Sequence, residues 1–358
     1  MSRDIARVAI YDPSMAEALE RFARVAWPRP GRAESRAEPP PRTRAPTFVF
    51  LKGDDVIGHL ATIPVQLDSP GGGIAAHWIV GFMVLPEHRN GLVGPLLIRE
   101  ASRVLDCALS LFVEPPVLRI LTGMKWAHRG IVPQYLRVLR AADVSRNLQL
   151  RRFEGRGPAA RMVAGWGLAI GQAALLVMSR FRRPGGSAGE VREEQGFDDA
   201  YDQLWRSVRG RFGACVARDR EYLQRRYGTK PGRYRILGCR RDNRLLGYCV
   251  LKSKHFSGDS RMGDMKLGTI VDCLFDPDSP AAPPSLLAGA VQAFRRDGMH
   301  AVLCTASHAA VVRALRANGF LSIPGNLHFA LHARQPVRDV PLEAWHLMRG
   351  DSDADQNF

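Results

Sequence analysis

Residues 84–97 read Val-Leu-Pro-Glu-His-Arg-Asn-Gly-Leu-Val-Gly-Pro-Leu-Leu, and the order of residue types predicts strand, then loop, then helix. The apolar run Phe82, Met83, Val84, Leu85 has the composition of a strand end, and Arg89, Asn90, Gly91, Leu92, Val93 and Gly94 form a loop. Pro95 opens a helix, because a residue without an N–H suits the first turn. Glycines let backbone N–H groups close on an anion, and a helix N-terminus adds a favourable dipole. The segment therefore reads as a pyrophosphate cradle, with a simple tight turn as the alternative.

Working outward, a strand from Val8 leads into a helix from Ser14 to about Val25, and a loop over 27–46 with six prolines follows. FVFLKGDDVIGHLATIPVQLD, residues 48–68, gives two strands around the turn GDD, and HWIVGFMVL, 77–85, gives a third. Beyond the cradle the pattern predicts a helix over 95–109, a strand at VLRILTG (117–123) and a second helix at IVPQYLRVLRA (131–141). Residues 162–179, MVAGWGLAIGQAALLVMS, carry no charge. They read as an inter-domain helix, with peripheral membrane contact and a full span, which needs about 20 apolar residues, as alternatives. RRPGGSAGE, 182–190, is a linker.

The second half repeats the first: a helix (FDDAYDQLWRSVRG), two strands around RRDN, the strand GTIVDCLFDP, a helix, the strand AVLCTA, a helix and the strand LHFALH. Such a repeat predicts duplicated domains. The expected division is 1–155, a helix and linker over 156–190, a second domain over 191–337, and a polar, fraying tail over 338–358.

The order of elements around PEHRNGLVGPLL resembles the GNAT superfamily of acyl-CoA-dependent N-acyltransferases over residues 5–145, and the segment looks like that family's Arg-x-x-Gly-x-Gly/Ala coenzyme motif. The resemblance implies an α/β fold, here two tandem GNAT-like domains, each a mostly antiparallel mixed sheet flanked by helices. It implies acetyl-CoA or another acyl-CoA as co-substrate, with pantetheine along Phe82, Met83 and Val84 and pyrophosphate on Arg89 to Pro95. One departure stands out: either alignment of the motif puts Leu92 or Val93 where the family has glycine. The family also carries an Asn followed seven residues on by a Tyr that protonates the departing thiolate. His128 and Tyr135 have that spacing, although Leu139-Arg140 replaces the closing Gly-Phe. In the second half Leu315 stands where Tyr135 would, and SPAAPPS replaces the Arg/Gly loop. That module is expected to shape the acceptor pocket or a homodimer interface.

An amine acceptor must lose a proton to attack, so a base is required. The candidates are His77, Glu114 and Asp272, the last in the apolar strand TIVDCLF, where a carboxylate needs a partner or a purpose. The charge, 51 Lys+Arg against 35 Asp+Glu, favours anionic partners. The six cysteines lack C-x-x-C pairing and read as buried thiols of a cytoplasmic protein. No metal-ligand spacing, nucleophile elbow or Walker loop is present. The reading is an N-acyltransferase acting on a small amine such as an amino sugar or amino acid, with no DNA partner and no metal. The alternatives are a Fem-type aminoacyl-tRNA-dependent transferase and a non-catalytic GNAT pair serving as sensor or scaffold.

Overall fold

The computed structural model describes residues 6–27, 45–147, 167, 170, 189–229, 232–334 and 336–355. The chain divides into two compact units, neither of them one continuous stretch. Unit 1 comprises 1–67, 71–131 and 326–339; unit 2 comprises 68–70, 132–325 and 340–358. The main body of unit 1 ends at 131 and not at the expected 155, and past that point the chain returns to unit 1 over 326–339.

Along the chain, β1 (Ala6–Ile10), α1 (Ala16–Ala26), β2 (Phe48–Lys52), β3 (Asp55–Ser69), β4 (Gly72–Val84), α2 (Val93–Val104), β5 (Cys107–Leu111), α3 (Pro115–Gly123) and β6 (Ala127–Ile131) come first. Next are β7 (Gln134–Val138), α4 (Ala141–Asn147), β8 (Glu190–Glu194), α5 (Asp199–Val208), β9 (Ala214–Val216), α6 (Arg220–Leu223), β10 (Arg235–Arg241), β11 (Arg244–His255) and β12 (Lys266–Phe275). The last are α7 (Ala282–Arg296), β13 (Ala301–Thr305), α8 (Ala309–Ala317), β14 (Leu321–Ile323), β15 (His328–Ala333) and β16 (Trp345–His346). The main sheet of unit 1 runs β1-β2-β3-β4-β5-β15-β6, and that of unit 2 runs β14-β7-β13-β12-β11-β10-β8. The three-strand meander and the strand–loop–helix at the cradle are as expected.

Three local expectations are corrected. The helix over 95–109 ends at Val104, and Cys107–Leu111 is a strand buried at every position. VLRILTG is helical, because Pro115 and Pro116 start a turn after extended Glu114 and Leu121 then falls on the buried face. Residues 131–140 are not helical: Pro133 sits between β6 and β7, and β7 is buried nearly throughout between β13 and β14.

The units exchange a strand. β7, from the first half of the sequence, pairs with β13 from Ala301↔Val138 to Thr305↔Gln134. β15, from the second half, fills the place between β5 and β6, from Phe329↔Leu111 to Ala333↔Cys107 on one side. Phe329, Ala330 and Leu331 are fully buried, and Ala330 joins the core cluster built by α2, α3 and β4. All six cysteines are free and buried.

The expected fraying tail is also corrected, since the chain is described through Asp355 with Trp345, Leu347 and Met348 buried in unit 2. The apolar stretch 162–179 lies outside the described residues save Gly167 and Ile170. Among the described residues no helix is long and apolar enough to cross a membrane.

The exchange makes a prediction. A fragment ending at residue 155 lacks β15, so β5 and β6 keep unpaired backbone edges and an uncovered core. It should show no cooperative thermal transition by circular dichroism, whereas the full chain should; a fragment that melts like the full chain would contradict this topology.

Candidate functional site

In unit 1, β4 and β5 run parallel, yet they pair only at His77↔Ala108 and Trp78↔Leu109. Beyond that point β4 continues to Val84 and β5 to Leu111, where β5 keeps only β15 as partner. The strands part at their C-terminal ends. Two devices accompany the parting. Gly81 takes φ +57, a left-handed conformation that favours glycine, and its carbonyl accepts from Nδ1 of His59 at 2.8 Å. His59 is buried between Phe22 and Trp27, and burial lowers its pKa, so the neutral ring with a proton on Nδ1 holds the bend. At the end of β5, Phe112 sits at φ 67, an uncommon strain for a bulky residue.

The loop closes at the same end. His88 N–H donates to Leu85 O at 2.9 Å, Arg89 N–H to Pro86 O at 3.3 Å and Gly91 N–H to His88 O at 3.2 Å, so the loop is a run of tight turns. At the start of α2, the N–H groups of Leu92, Val93 and Gly94 have no acceptor among the described residues, and no side chain caps the helix. Such N–H groups, with the helix dipole behind them, suit an anion.

The two branched residues at the motif's glycine positions leave those groups clear. Leu92 is 71% exposed, while Val93 is turned into the core. Room for Val93 comes from Gly58 on β3, where a Cβ would lie 2.6 Å from Val93 Cγ1 and 3.0 Å from Leu97 Cδ1. Gly94 does the same toward Phe82, whose Cζ would be 3.2 Å from a Cβ there. Gly91 differs: its φ is not left-handed, and a Cβ would make only ordinary contact, 3.5 Å from His88 O. The fold does not require that glycine. Arg89 turns back on the strand, its Nε donating to Val84 O at 3.0 Å and Nη2 reaching Met83 Sδ at 3.6 Å. An open cleft of about 440 Å³ adjoins the loop, with Arg21 and Phe22 of α1 and Glu87 and His88 among its lining residues, but it includes none of the free N–H groups of α2.

The expected residues therefore separate. Phe82, Met83, Val84, the loop Arg89 to Pro95, and His77 gather in unit 1 on β4 and the turn after it. His77 stands in the last paired stretch before the opening, half-buried, and desolvation lowers its pKa. Glu114 is exposed at the head of α3. Tyr135 and Asp272 belong to unit 2. Tyr135 lies on β7, not on a helix, and its ring is packed in the unit 2 core beside Cys304 and Leu315, where burial raises its pKa. Asp272 is 1% exposed and bound by Arg218 Nε at 3.1 Å, the satisfied state that a carboxylate in an apolar strand requires. Sequence reading missed His59, Gly58 and Phe112; the signal for Gly58 was a glycine inside a strand, which often marks close approach.

No family model matches the chain, and no curated protein matches it. Solved structures do. A GCN5-related N-acetyltransferase from Anabaena variabilis superposes with a TM-score of 0.59 at 10% identity, covering 95% of this chain and 75% of that one. N-myristoyltransferase from Saccharomyces cerevisiae, solved with myristoyl-CoA and inhibitors, gives 0.56 at 12% identity, covering 97% and 87%. A GCN5-related N-acetyltransferase from Kribbella flavida gives 0.51 at 14%, covering 92% and 71%. The chain has the GNAT fold. Its two mixed sheets flanked by helices fit a tandem GNAT arrangement.

If Gly58 makes room for Val93, Gly58→Ala should overpack the start of α2. The cost should be about 1–3 kcal/mol, read by urea denaturation, and Val93→Ala should relieve it in the double variant. An additive double variant would show that the two residues do not press on each other.

Proposed function

We propose that the protein is an acyl-CoA-dependent N-acyltransferase whose coenzyme enters the opening between β4 and β5 of unit 1. The observation that carries this reading is the coincidence of that opening with the unpartnered N–H groups of Leu92, Val93 and Gly94, at one end of one sheet. A pyrophosphate on those groups would send the pantetheine arm along Phe82 to Val84, beside strand backbone that β5 no longer occupies. The GNAT fold and neighbours solved with myristoyl-CoA support an acyl-CoA ligand; the acyl group and the acceptor are ours to propose.

In this scheme the thioester lies near the point where the strands part. A primary amine attacks the carbonyl carbon, β4 N–H groups stabilise the oxyanion, the C–S bond breaks, and the amine proton passes to His77. A half-buried imidazole with a lowered pKa is neutral at pH 7 and so can accept that proton. Tyr135 and Asp272 are left out of the scheme, because each is engaged in the core of unit 2. The acceptor we favour is a small amine such as an amino sugar or amino acid.

Two measurements test the scheme. Because the fold does not need glycine at 91, Gly91→Val should leave the melting temperature nearly unchanged yet weaken acetyl-CoA binding about tenfold or more by calorimetry. Arg89→Ala should weaken it less, since an exposed charge is screened. Equal, negligible effects would place the cradle elsewhere. The second measurement concerns the base. His77 must be neutral to act, and burial lowers its pKa, so activity should fall on an acid limb that lies below the usual histidine range. His77→Gln should lower kcat by about 10²- to 10⁴-fold, abolish that acid limb and keep acetyl-CoA affinity; an unchanged profile would remove His77 from the reaction.

A further inference from the structure

Unit 2 has the same parallel pair as unit 1 and the same parting. β12 pairs with β13 from Leu267↔Ala301 to Ile270↔Cys304, and Val271–Phe275 runs on without β13. Here the gap is occupied. On the β12 side, His346 Nε2 donates to Cys273 O at 2.9 Å, and a Cβ at Gly350 would overlap Tyr227 and come within 2.9 Å of Val271 O. On the β13 side, Met348 bridges Ala306, Ser307 N–H donates to Leu347 O at 3.2 Å, and Leu347 N–H donates to Ser307 Oγ at 2.9 Å. Residues 345–348 thus lie between the two strands as an extended insert, and a 3-10 turn over Arg349–Asp351 follows it.

The insert is read by charge as well as by backbone. Arg218, fully buried, donates through Nε to Asp272 at 3.1 Å and through Nη2 to Asp351 at 2.8 Å. Arg226 donates to Gly350 O at 3.0 Å, to Ser352 O at 2.7 Å and to the Asp355 carboxylate. Tyr234 Oη donates to Asp355 at 2.5 Å, and Lys252 reaches the Asp355 carbonyl. Two aspartates four residues apart, each held by an arginine, and Gly350 just before the first of them, where no side chain fits, make a sequence-specific seat.

We propose that unit 2 contains a binding site for a peptide segment that enters extended and ends in an aspartate-bearing turn, and that residues 345–355 of this chain are its resident occupant. Unit 2 is then closed to coenzyme by its own C-terminal segment. The occupant holds through contacts that do not depend on covalent continuity at Pro341, which is exposed. The site stands on geometry in unit 2 alone, so it survives or fails independently of the acyl transfer assigned to unit 1.

The test uses the full, folded chain with a protease recognition sequence inserted at Pro341, cleaved after purification. The released segment should co-elute with the body on size exclusion, and hydrogen exchange should show the amides of Leu347, Met348 and Asp351 protected as strongly as those of β12. In the same chain carrying Asp351→Asn and Asp355→Asn, the segment should be lost on the column or its amides should exchange at least 100-fold faster. Acetyl-CoA, added to the uncut protein, should leave these amides unchanged. Loss of the wild-type segment on nicking, exchange at free-peptide rates, indifference to the two substitutions, or displacement by acetyl-CoA would each overturn the proposal.

Discussion

The structure turns on a parallel strand pair that comes apart. Backbone N–H and C=O groups are obligatory hydrogen bonders, and a strand edge that loses its partner in the interior of a sheet must find another. In each unit the chain creates such an edge at the same topological point, after Trp78 in β4 and after Ile270 in β12. In unit 2 residues 345–351 lie against the edge, where His346 Nε2 donates to Cys273 O. In unit 1 the edge lies beside a helix N-terminus whose first N–H groups are unpartnered among the described residues, which is where a phosphorylated ligand with an extended arm would complete the sheet. One backbone constraint thus meets two solutions.

Keeping such a gap open needs rigid walls, and the walls are built from distant parts of the chain. β15 backs β5 on the side away from the opening, and Phe329 meets Trp78 with ring centroids 6.1 Å apart. On the other wall, His59 fixes the bend at Gly81, and Gly58 lets Val93 anchor α2 close to β3. Each of these contacts is buried and short in range, so the opening is held by packing and not by the loop itself.

Much of this was legible in the sequence. The β2–β3–β4 meander announced itself through alternation and the GDD turn, and the strand–loop–helix at 82–97 through its Arg, Gly and Pro spacing. β5 was missed because Leu105, Asp106 and Cys107 carry no glycine or proline to end the helical pattern, and α3 because VLRILTG is as apolar as a strand. That one shift moved the helix tyrosine of the resemblance onto Tyr135, which is a strand residue in another unit. The exchange of β7 and β15 leaves no local mark, since its partners lie some 200 residues away along the chain, as in Ala330↔His128. The tail misled for a different reason: RGDSDAD has the composition of a solvated segment, and partners far upstream, Arg218 and Arg226 among them, make it a buried one.

The central claim is that the opening in unit 1, and not the one in unit 2, receives the acyl-CoA. Backbone hydrogen exchange of the intact protein with and without acetyl-CoA tests it most directly. New protection confined to residues 79–84 and 90–94, with 271–275 and 345–351 unaltered, is the predicted result. Protection that appears at 271–275, or none at 90–94 with saturating acetyl-CoA, would contradict it.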